Sequence, residues 1–561
     1  MKKIIVDLIK DVLKKQRVEM SEEEIASFIE IPQNYEKGDY AFPCFYLANK
    51  LKMSPNEIAC ELRKDIKKIP DGLEDITAEG AYLNFFVDRK ELTRNLMENI
   101  LSLGERYGSG NIGEGKNALI EHTSINPNAS PHVGRTRNAL IGDSLVRIFK
   151  FLNYKPEVHY YVNDVSKQIA MLVVAKAEKL KFENMLEKYI KIAGKVEKSK
   201  KIEKEVFKIL ERFEQKDKAV VYKFKKITNT CVKGQLKILS QLGIKYDIFD
   251  YESGYLDKSK EILKELEKTG RLEKDEENRL VLNLEGTGIE KQMRSPILVL
   301  TRSDGTGLYP LRDLAYTIEK LKISKKNMIV LGEDQKLYFQ QIKEALKLLG
   351  FEAPEVIHYS YILLSDSGKI KKMSTRKGDV VLLEDFLRDA VKKARKEINK
   401  RKTKGDPKKV GVSAVKYAIL KNNNNKVIRF NLDEALSFEG DTGPYLLYSY
   451  ARASSIIRKS KIKLNKNIKL EDIGELEDKE IELIKKISEF PDIVNKAYKH
   501  LNPSLIANYS YQLAQIFNEF YHSCPVIDSD KIEFRIALVY GFRQVLKNSL
   551  NLLGIETLEE M

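Results

Sequence analysis

The stretch that decides the fold is Ala118-Leu-Ile-Glu-His-Thr-Ser-Ile-Asn-Pro-Asn-Ala-Ser-Pro-His-Val-Gly-Arg-Thr-Arg-Asn-Ala-Leu-Ile-Gly-Asp143. Its first three residues form a short apolar run that predicts a strand. The prolines and the glycine that follow predict a tight loop. Beyond Arg135, apolar residues recur at helical spacing on one face, at Ile141, Leu145, Ile148 and Leu152. The stretch therefore predicts a strand, a loop and a helix in that order.

The predicted loop has the features of an anion-binding site. The start of the helix directs backbone N–H groups and the positive end of the helix dipole toward the loop. Gly134 lets a flat ligand approach the backbone closely, because it carries no Cβ. His132 can donate a hydrogen bond to a phosphate oxygen. Taken alone, such a loop is more often a structural turn or a generic anion site than a specific enzyme site.

Strands and helices continue to alternate along the chain. Apolar runs at Val158–Val162, Ile297–Leu300 and Met328–Leu331 predict further strands, and helical patterns flank them. This order predicts an α/β fold, with a Rossmann-type parallel sheet in a domain that spans residues 110–430. A Lys/Glu-rich region at about 170–292 is predicted to be a helical insertion into that sheet.

Two further domains are predicted on either side of this sheet. Residues 1–90 are predicted to form a small α+β domain. Its first helix is amphipathic and not an export signal, because charged residues interrupt the apolar run. The apolar face of that helix carries Ile5, Leu8, Ile9 and Val12. The chain is predicted to be helical from about residue 400, with an all-α domain at 440–561. We expect a cytoplasmic protein without a membrane span.

The charge balance favours a polyanionic partner. Lys and Arg number 98 against 82 Asp and Glu, which gives a formal net charge of +16. Contacts between basic side chains and phosphates release counterions and so favour nucleic-acid binding. Both signs are abundant, however, so charge alone does not distinguish a nucleic-acid-binding protein from a merely lysine-rich one.

The cysteines predict neither a zinc site nor a disulfide framework. The four residues lie far apart in the sequence and include no Cys-x-x-Cys pair. We expect them to be small buried apolar side chains. They are Cys44, Cys60, Cys231 and Cys524.

A second chemically distinctive segment is Lys371-Lys-Met-Ser-Thr-Arg-Lys-Gly378, which follows the apolar run Tyr361-Ile-Leu-Leu364. Four basic side chains around a serine and a glycine suit the binding of a triphosphate. Alone, the segment would be better explained as a solvated basic turn.

Together the two segments resemble the paired signatures of class I aminoacyl-tRNA synthetases. His132-Val-Gly-Arg135 is similar to the HIGH motif, and Lys372-Met-Ser-Thr-Arg376 is similar to the KMSKS loop. Longer matches resemble the arginyl-tRNA synthetase family and run through almost the whole chain. They include Val158-His-Tyr-Tyr-Val-Asn-Asp164, Thr301-Arg-Ser-Asp-Gly-Thr-Gly-Leu-Tyr-Pro-Leu-Arg-Asp313 and Asp441-Thr-Gly-Pro-Tyr445.

The resemblance implies three sets of site residues. Arginine would be bound by Glu121, Ser124, Asn126, Tyr309, Asp313 and Gln335. Catalysis would depend on His132, Gly134, Arg135, Lys372, Ser374 and Arg376. ATP would contact Asn126, Pro131, His132, Gly134, Arg135, Gly332, Lys372, Met373 and Ser374. Independently of the resemblance, a guanidinium binds best to carboxylates. Tyr309 and Asp313 are four residues apart, so they would lie on the same face of a helix.

The resemblance also implies the reaction and its partners. Arginine would attack the α-phosphate of ATP to give arginyl-adenylate, and a terminal ribose hydroxyl of tRNA would then accept the arginyl group. Mg²⁺ is expected to assist, zinc is not, and the protein is expected to be a monomer. Residues 1–90 would contact tRNA, and residues 440–561 would bind the anticodon.

Several positions depart from the family pattern. Arg135 replaces the second histidine of the HIGH motif, Ala129 and Thr375 stand where lysines are common, and Ser166 stands where glycine is common. A synthetase-like RNA-binding or regulatory protein without activity is therefore an alternative. A synthetase for another amino acid, such as cysteine, is a second alternative, although its expected zinc ligands are missing.

Overall fold

The computed structural model describes residues 2–32, 37–293, 295–366, 369–371, 381–462 and 473–561. The chain divides into two compact units. The first unit comprises Met1–Gly104, Ile462–Lys485 and Ser523–Gly541, and the second comprises Glu105–Lys461, Lys486–His522 and Phe542–Met561.

The N-terminal part of the first unit is a small α+β fold, as predicted. Its antiparallel sheet has the strand order β1-β3-β2. Helix α1 buries Ile5, Ile9 and Val12 in the core of this fold, which confirms the predicted amphipathic helix. The elements are α1 (Lys2–Lys15), α2 (Glu22–Phe28), β1 (Tyr40–Pro43), α3 (Ala48–Leu51), α4 (Pro55–Asp65), β2 (Leu73–Glu79), β3 (Tyr82–Val87) and α5 (Arg89–Leu103).

Asp39 stabilises the first unit from a buried position. Its carboxylate accepts a hydrogen bond from the Val87 N–H at 3.0 Å and forms ion pairs with Lys485 at 2.5 Å and Arg89 at 3.4 Å. A buried charge is tolerated only when it is paired in this way. Asp39 therefore contributes to packing within the unit.

The strands of the second unit form a parallel sheet and two smaller sheets. They are β4 (Asn117–Glu121), β5 (Lys155–Val162), β6 (Ile248–Tyr251), β7 (Leu272–Lys274), β8 (Leu280–Asn283), β9 (Ile297–Val299), β10 (Lys326–Gly332), β11 (Glu355–Tyr359), β12 (Ile362–Asp366), β13 (Lys369–Lys371) and β14 (Ile428–Phe430). The parallel sheet has the order β11-β10-β4-β5-β6. The strand order reverses at β4, and the crevice beyond the carboxyl ends of β4 and β10 is where such sheets bind ligands.

Helices connect these strands and form the rest of the chain. They are α6 (Thr136–Phe151), α7 (Lys167–Val174), α8 (Met185–Lys198), α9 (Lys200–Glu214), α10 (Lys218–Leu239), α11 (Leu256–Glu267), α12 (Tyr309–Ile323), α13 (Lys336–Leu348), α14 (Leu383–Arg401), α15 (Pro407–Leu420), α16 (Leu432–Ala435), α17 (Gly443–Ser460), α18 (Asp478–Ser488), α19 (Phe490–Lys499), α20 (Ser504–Ser523) and α21 (Ile532–Leu552). In the described part of the chain, no helix is both long enough and apolar enough to cross a bilayer.

Three strand predictions need correction. β9 does not belong to the parallel sheet, because it pairs antiparallel with β8, which pairs antiparallel with β7. β6 lies inside the range 170–292, so that range contains part of the parallel sheet beside its helices. β14 interrupts the helices predicted after residue 400 and pairs with β12. Such short apolar runs carry no signal for their pairing partner, which is chosen by distant parts of the chain.

The cysteines follow their prediction with one exception. Cys44, Cys231 and Cys524 are buried, and none of the four residues forms a disulfide. Cys60 is exposed on α4, so the prediction of a buried side chain was wrong for this residue. Its helical position faces solvent while its neighbours Ile58, Ala59 and Leu62 fill the core.

Candidate active site

The loop between β4 and α6 is strained where it leaves the sheet. Thr123 and Ser124 have φ values of 78° and 40°, in the left-handed region that costs side-chain-bearing residues roughly 1–3 kcal/mol each. Asn138 compensates for this strain. Its Oδ1 accepts the Thr123 N–H at 2.5 Å, and its Nδ2 donates to the carbonyl of Val330 at 2.7 Å. The side chain of Asn138 on α6 thus links the turn to β10 through two hydrogen bonds.

Two further buried side chains support the middle of the loop. Gln235 on α10 donates through Nε2 to the carbonyls of Asn126 at 3.0 Å and Ala129 at 2.9 Å. The hydroxyl of Tyr160 donates to Gln235 Oε1 at 3.1 Å and accepts the Ile125 N–H at 3.2 Å. The sequence analysis missed these residues, although an amide on the buried face of α10 was a signal of such a role.

The loop forms one wall of a cavity of about 300 Å³. His132, Gly134 and Arg135 line this wall and Gly332 lines the opposite one, so four of the residues predicted for ATP lie together. The opposite wall comes from the ends of β10 and β11 and the start of β12. It is lined by Gly332, Glu333, Asp334, Tyr359, Tyr361, Ile362 and Leu363. The cavity therefore lies at the ligand-binding edge of the sheet.

His132 is held neutral in this cavity. Burial, together with the positive charge of Arg135, lowers the pKa of its imidazole to about 4. Within the described part of the chain, its Nδ1 has no hydrogen-bond partner. A neutral imidazole keeps one N–H donor and one acceptor near pH 7, so the ring can donate to an oxygen of a bound ligand.

The backbone around His132 is hydrogen-bonded to residues at the start of α14 and just before it. The Val133 N–H donates to the carbonyl of Val381 at 3.0 Å, and the Leu383 N–H donates to the carbonyl of Pro131 at 2.8 Å. The second predicted segment precedes this contact. Its residues Lys372, Met373, Ser374, Thr375 and Arg376 lie outside the described residues.

A second group of predicted site residues lies at the start of α12. The hydroxyl of Tyr338 donates to Asp313 Oδ2 at 2.5 Å, and the ring of Tyr309 lies 5.1 Å from that of Tyr338. Tyr309 and Asp313 therefore approach the same side chain. Burial, together with the negative charge of Glu121, raises the pKa of the Asp313 carboxyl to about 6.

Glu121 ends β4 beside this group of residues and is already paired. Its Oε2 forms a buried ion pair with Lys320 of α12, and Ser124 Oγ donates to its Oε1 at 3.4 Å. The ammonium of Lys320 also lies 4.3 Å from the ring centroid of Tyr316. The sequence analysis did not identify Lys320.

A buried ion pair fixes the start of α12. The guanidinium of Arg312 pairs with Glu252, which follows β6, and donates through Nη1 to the carbonyl of Gly307 at 2.9 Å. Burial raises the pKa of Glu252 to about 7. Because Arg312 directly precedes Asp313, this pair sets the position of the predicted arginine pocket.

The remaining predicted residues lie at the same edge of the sheet. Asn126 is half-buried, and its carbonyl is held by Gln235. Gln335 is exposed in the turn between β10 and α13. Ser166 caps the start of α7, where its hydroxyl accepts the Ile169 N–H at 3.4 Å. In the described residues, no group of three or more His, Cys, Asp or Glu side chains could hold a metal ion.

Three family models match successive parts of the chain. The arginyl tRNA synthetase N-terminal domain matches residues 3–87. The catalytic domain of class I tRNA synthetases of the arginine type matches residues 96–432. The DALR anticodon-binding domain matches residues 446–561.

Curated relatives match over nearly the whole chain. An arginine–tRNA ligase of Methanocaldococcus jannaschii is 36% identical over 573 residues, which cover 98% of each chain. An arginine–tRNA ligase of Clostridium botulinum strain Hall is 37% identical over 570 residues, again with 98% of each chain covered.

Solved structures show the same fold. The arginyl-tRNA synthetase of Thermus thermophilus matches with a TM-score of 0.82 at 24% identity and covers 100% of both chains. That of Plasmodium falciparum matches with a TM-score of 0.79 at 21% identity and covers 100% of this chain and 99% of its own.

The parallel sheet, with its strained loop and cavity beyond β4 and β10, is the catalytic domain of a class I aminoacyl-tRNA synthetase. The flanking domains and the full-length relatives define the type more narrowly. The chain belongs to the arginyl-tRNA synthetase family. The predicted α/β fold class and family resemblance are thereby confirmed.

Proposed function

We propose that this protein attaches L-arginine to the 3′-terminal ribose of arginine tRNA, with ATP converted to AMP and pyrophosphate. The observation that carries this proposal is the carboxylate of Asp313. It lies beside Tyr338 and Tyr309, and no described Lys, Arg or His lies within ion-pair distance of it. A guanidinium supplies the charge and the N–H donors that such a carboxylate lacks.

The experiment that tests this function is aminoacylation of total tRNA with each labelled amino acid in turn. Arginine is expected to be incorporated, and only when ATP is present. No incorporation of any amino acid would favour the alternative of a regulatory, synthetase-like protein. Incorporation of a different amino acid would overturn the assignment of the pocket.

In the first step, ATP would occupy the cavity of about 300 Å³ while arginine binds at Asp313 and Tyr309. Asn126, Ser124 and Gln335 would hold the α-amino and α-carboxylate groups. The arginine carboxylate then attacks the α-phosphate, which forms arginyl-adenylate and releases pyrophosphate. No covalent enzyme intermediate is required, so the protein contributes positioning and charge stabilisation.

The negative charge of the ATP phosphates would be stabilised by a hydrogen bond, a helix dipole and cationic side chains. The neutral imidazole of His132 would donate one hydrogen bond, and the N-terminus of α6 adds its positive dipole end. Arg135 would supply positive charge, together with Lys372 and Arg376. Ser374 would donate a hydrogen bond, and Pro131, Gly134, Gly332 and Met373 would contact ATP. In the second step, a terminal ribose hydroxyl of tRNA takes the arginyl group and AMP leaves.

Mg²⁺ is proposed as the metal that accompanies ATP, and no zinc is proposed. Glu333 and Asp334 line the ATP cavity, and carboxylate oxygens are suitable Mg²⁺ ligands. When bound, the ion would neutralise part of the phosphate charge.

The chain would comprise three domains with different roles, at residues 1–90, 110–430 and 440–561. The exposed rings of Phe45 and Tyr46 in the first domain are suited to stacking on bases, which supports a contact with tRNA there. The last domain would bind the anticodon. We further propose a cytoplasmic monomer.

The pKa of Asp313 predicts how arginine use depends on pH. The carboxyl has a raised pKa of about 6, so it is ionised above that pH and becomes protonated as pH falls through it. We expect kcat/KM for arginine to fall between pH 7.5 and 5.5, by up to about tenfold per pH unit below the pKa. His132, with a pKa of about 4, does not titrate in this window.

The matched control for the pH profile is Asp313→Asn. Glu252 also titrates near pH 7, and its contribution would persist in this variant while that of Asp313 disappears. A profile that is identical in the two proteins would show that another group is responsible.

The net charge predicts that tRNA binding weakens with salt. The chain carries a formal charge of +16, and each phosphate contact releases counterions when it forms. We expect the Kd for tRNA to rise by at least about tenfold between 50 and 200 mM KCl, while the KM for arginine changes little. Fluorescence titration at four salt concentrations measures the slope, and a flat dependence would contradict a phosphate interface.

A further inference from the structure

A cavity of about 440 Å³ lies apart from the predicted ATP cavity and shares no lining residue with it. Arg147 of α6 lines this cavity, roughly 18 Å along the helix axis from Arg135 at the start of α6. Its other lining residues come from the segment after α10, from the first half of α15 and from the end of α21 with the residues that follow. The cavity is therefore a separate place in the second unit.

The lining of this cavity is basic. Arg147 pairs with Asp143 of α6 at 2.9 Å. Lys409 pairs with Glu556 at 3.1 Å. The cationic and anionic side chains of the lining are Arg147, Lys245, Lys408, Lys409 and Lys416, with the carboxylates Asp406 and Glu556.

Three cations of the lining have no carboxylate within ion-pair distance among the described residues. They are Lys245, Lys408 and Lys416. One lining carboxylate, Asp406, also has no cationic partner there, and it caps α15 by accepting the Lys408 N–H at 2.8 Å. Three such cations against one carboxylate leave the lining with an excess of two positive charges.

Lys416 gives the cavity a buried cation. The residue is 1% exposed, and its ammonium donates a hydrogen bond to the carbonyl of Gly554 at 2.5 Å. Burial lowers the pKa of Lys416 to about 8. The negative charges of Asp143 and Glu556 oppose this effect, and the positive charge of Arg147 adds to it. A buried ammonium is unfavourable without an anionic partner, and an anion in the cavity would supply one.

The chain around Lys416 is closely packed. Gly554 has a φ of 66°, and a Cβ on it would lie 2.8 Å from both Lys416 Nζ and Asp143 Oδ2. Ser144 Oγ donates to the carbonyl of Leu552 at 2.7 Å, which holds the end of α21 against α6. The absence of a side chain at Gly554 thus lets the backbone reach the ammonium, and the buried cation is fixed before any ligand binds.

We propose that this cavity binds a small phosphate compound, with Lys416 as its buried anchor and Lys245 and Lys408 at its exposed edge. A phosphate monoester carries a charge of about −1.5 to −2 at pH 7, which matches the excess positive charge of the lining. Its oxygens would accept hydrogen bonds from the three ammonium groups. This inference does not depend on the proposed arginylation, because none of the predicted arginine or ATP residues lines the cavity.

The test is calorimetric titration of the full chain with inorganic phosphate and, at equal ionic strength, with acetate. We expect phosphate to bind at least about tenfold more tightly than acetate, which carries a single charge. Lys416→Met should weaken phosphate binding at least about tenfold, because the buried cation is lost. Lys408→Ala removes an exposed charge and should weaken it about two- to fivefold. Lys233→Met, at an exposed position of α10 outside the cavity, is the control and should bind as the parent does.

The pH dependence is a readout that a merely structural role of Lys416 would not move. Phosphate affinity should fall as pH rises from 7.5 to 9.5, because Lys416 loses its proton in this range. Lys416→Met should lack that part of the dependence. Thermal unfolding identifies any variant that fails to fold, and Lys408→Ala and Lys245→Ala then carry the test.

Three results would overturn the inference. The first is phosphate binding by Lys416→Met, or by both exposed variants, that equals binding by the parent. The second is equal affinity of the parent for phosphate and acetate. The third is weaker tRNA binding by Lys416→Met together with competition between phosphate and tRNA, because the cavity would then hold a phosphate of tRNA. Arginylation by the parent tests the proposed function separately.

Discussion

Arg135→Ala is expected to lower tRNA-dependent arginine activation by roughly two to three powers of ten, as for loss of one preorganised donor to a transition-state charge. Arg135 lines the ATP cavity at the start of α6, where an anion is already favoured. No described carboxylate lies within ion-pair distance of its guanidinium, so a surface ion pair does not explain it. Ala129 and Thr375 each stand where a cation is common in the family, and Arg135 would restore that charge.

The measurement is ATP–pyrophosphate exchange with saturating tRNA. The KM for arginine should change little, because Arg135 lies in the ATP cavity. Arg135→Lys keeps the charge but loses the planar donors, so it should recover only part of the activity. Lys150→Ala, at an exposed position on α6, is the control. Activity of Arg135→Ala within about twofold of the parent, far below a tenfold change of ~1.4 kcal/mol, would show that the charge acts elsewhere.

Asp313→Asn is expected to lower kcat/KM for arginine, because the transition state loses about 2–4 kcal/mol of stabilisation. The substitution keeps the shape of the side chain and the acceptor for the Tyr338 hydroxyl, but it removes the unmatched negative charge. The guanidinium then meets a neutral amide, and a charge-assisted pair becomes an ordinary hydrogen bond.

Steady-state arginylation over a range of arginine and ATP concentrations measures this effect. ATP saturation should be nearly unchanged, because the ATP cavity is lined by other residues. Glu319→Gln, at a half-buried carboxylate on the same helix that pairs with Lys258 and Lys322, controls for a general change of α12. An unchanged KM and kcat for arginine in Asp313→Asn would falsify the pocket assignment.

Local elements of the catalytic domain were predictable because their signals are local. The apolar run before Glu121 and the helical spacing from Ile141 to Leu152 match β4 and α6. The C-terminal helix was equally clear, with Leu538, Phe542 and Val545 buried and Gly554 at a φ of 66° after its end. Periodicity and capping need no information from elsewhere in the chain.

Strand pairing was predictable only in part. β9 has the same apolar character as β10, yet it joins β8 in an antiparallel sheet. β6 was not predicted, because it lies within a region whose composition is dominated by charged helices. Composition indicates that a segment is extended, whereas the neighbour and direction of that strand depend on the path of the whole chain.

The sequence by itself determined the order of the domains, the family and the chemical types that occur in the site. Only the tertiary structure decided which side chains form hydrogen bonds or ion pairs with the site residues. Gln235 reaches the Asn126 carbonyl across 109 residues, and Lys320 reaches Glu121 across 199. Sequence spacing cannot reveal such partners, because the free energy of a buried charge depends on whichever side chains fold against it.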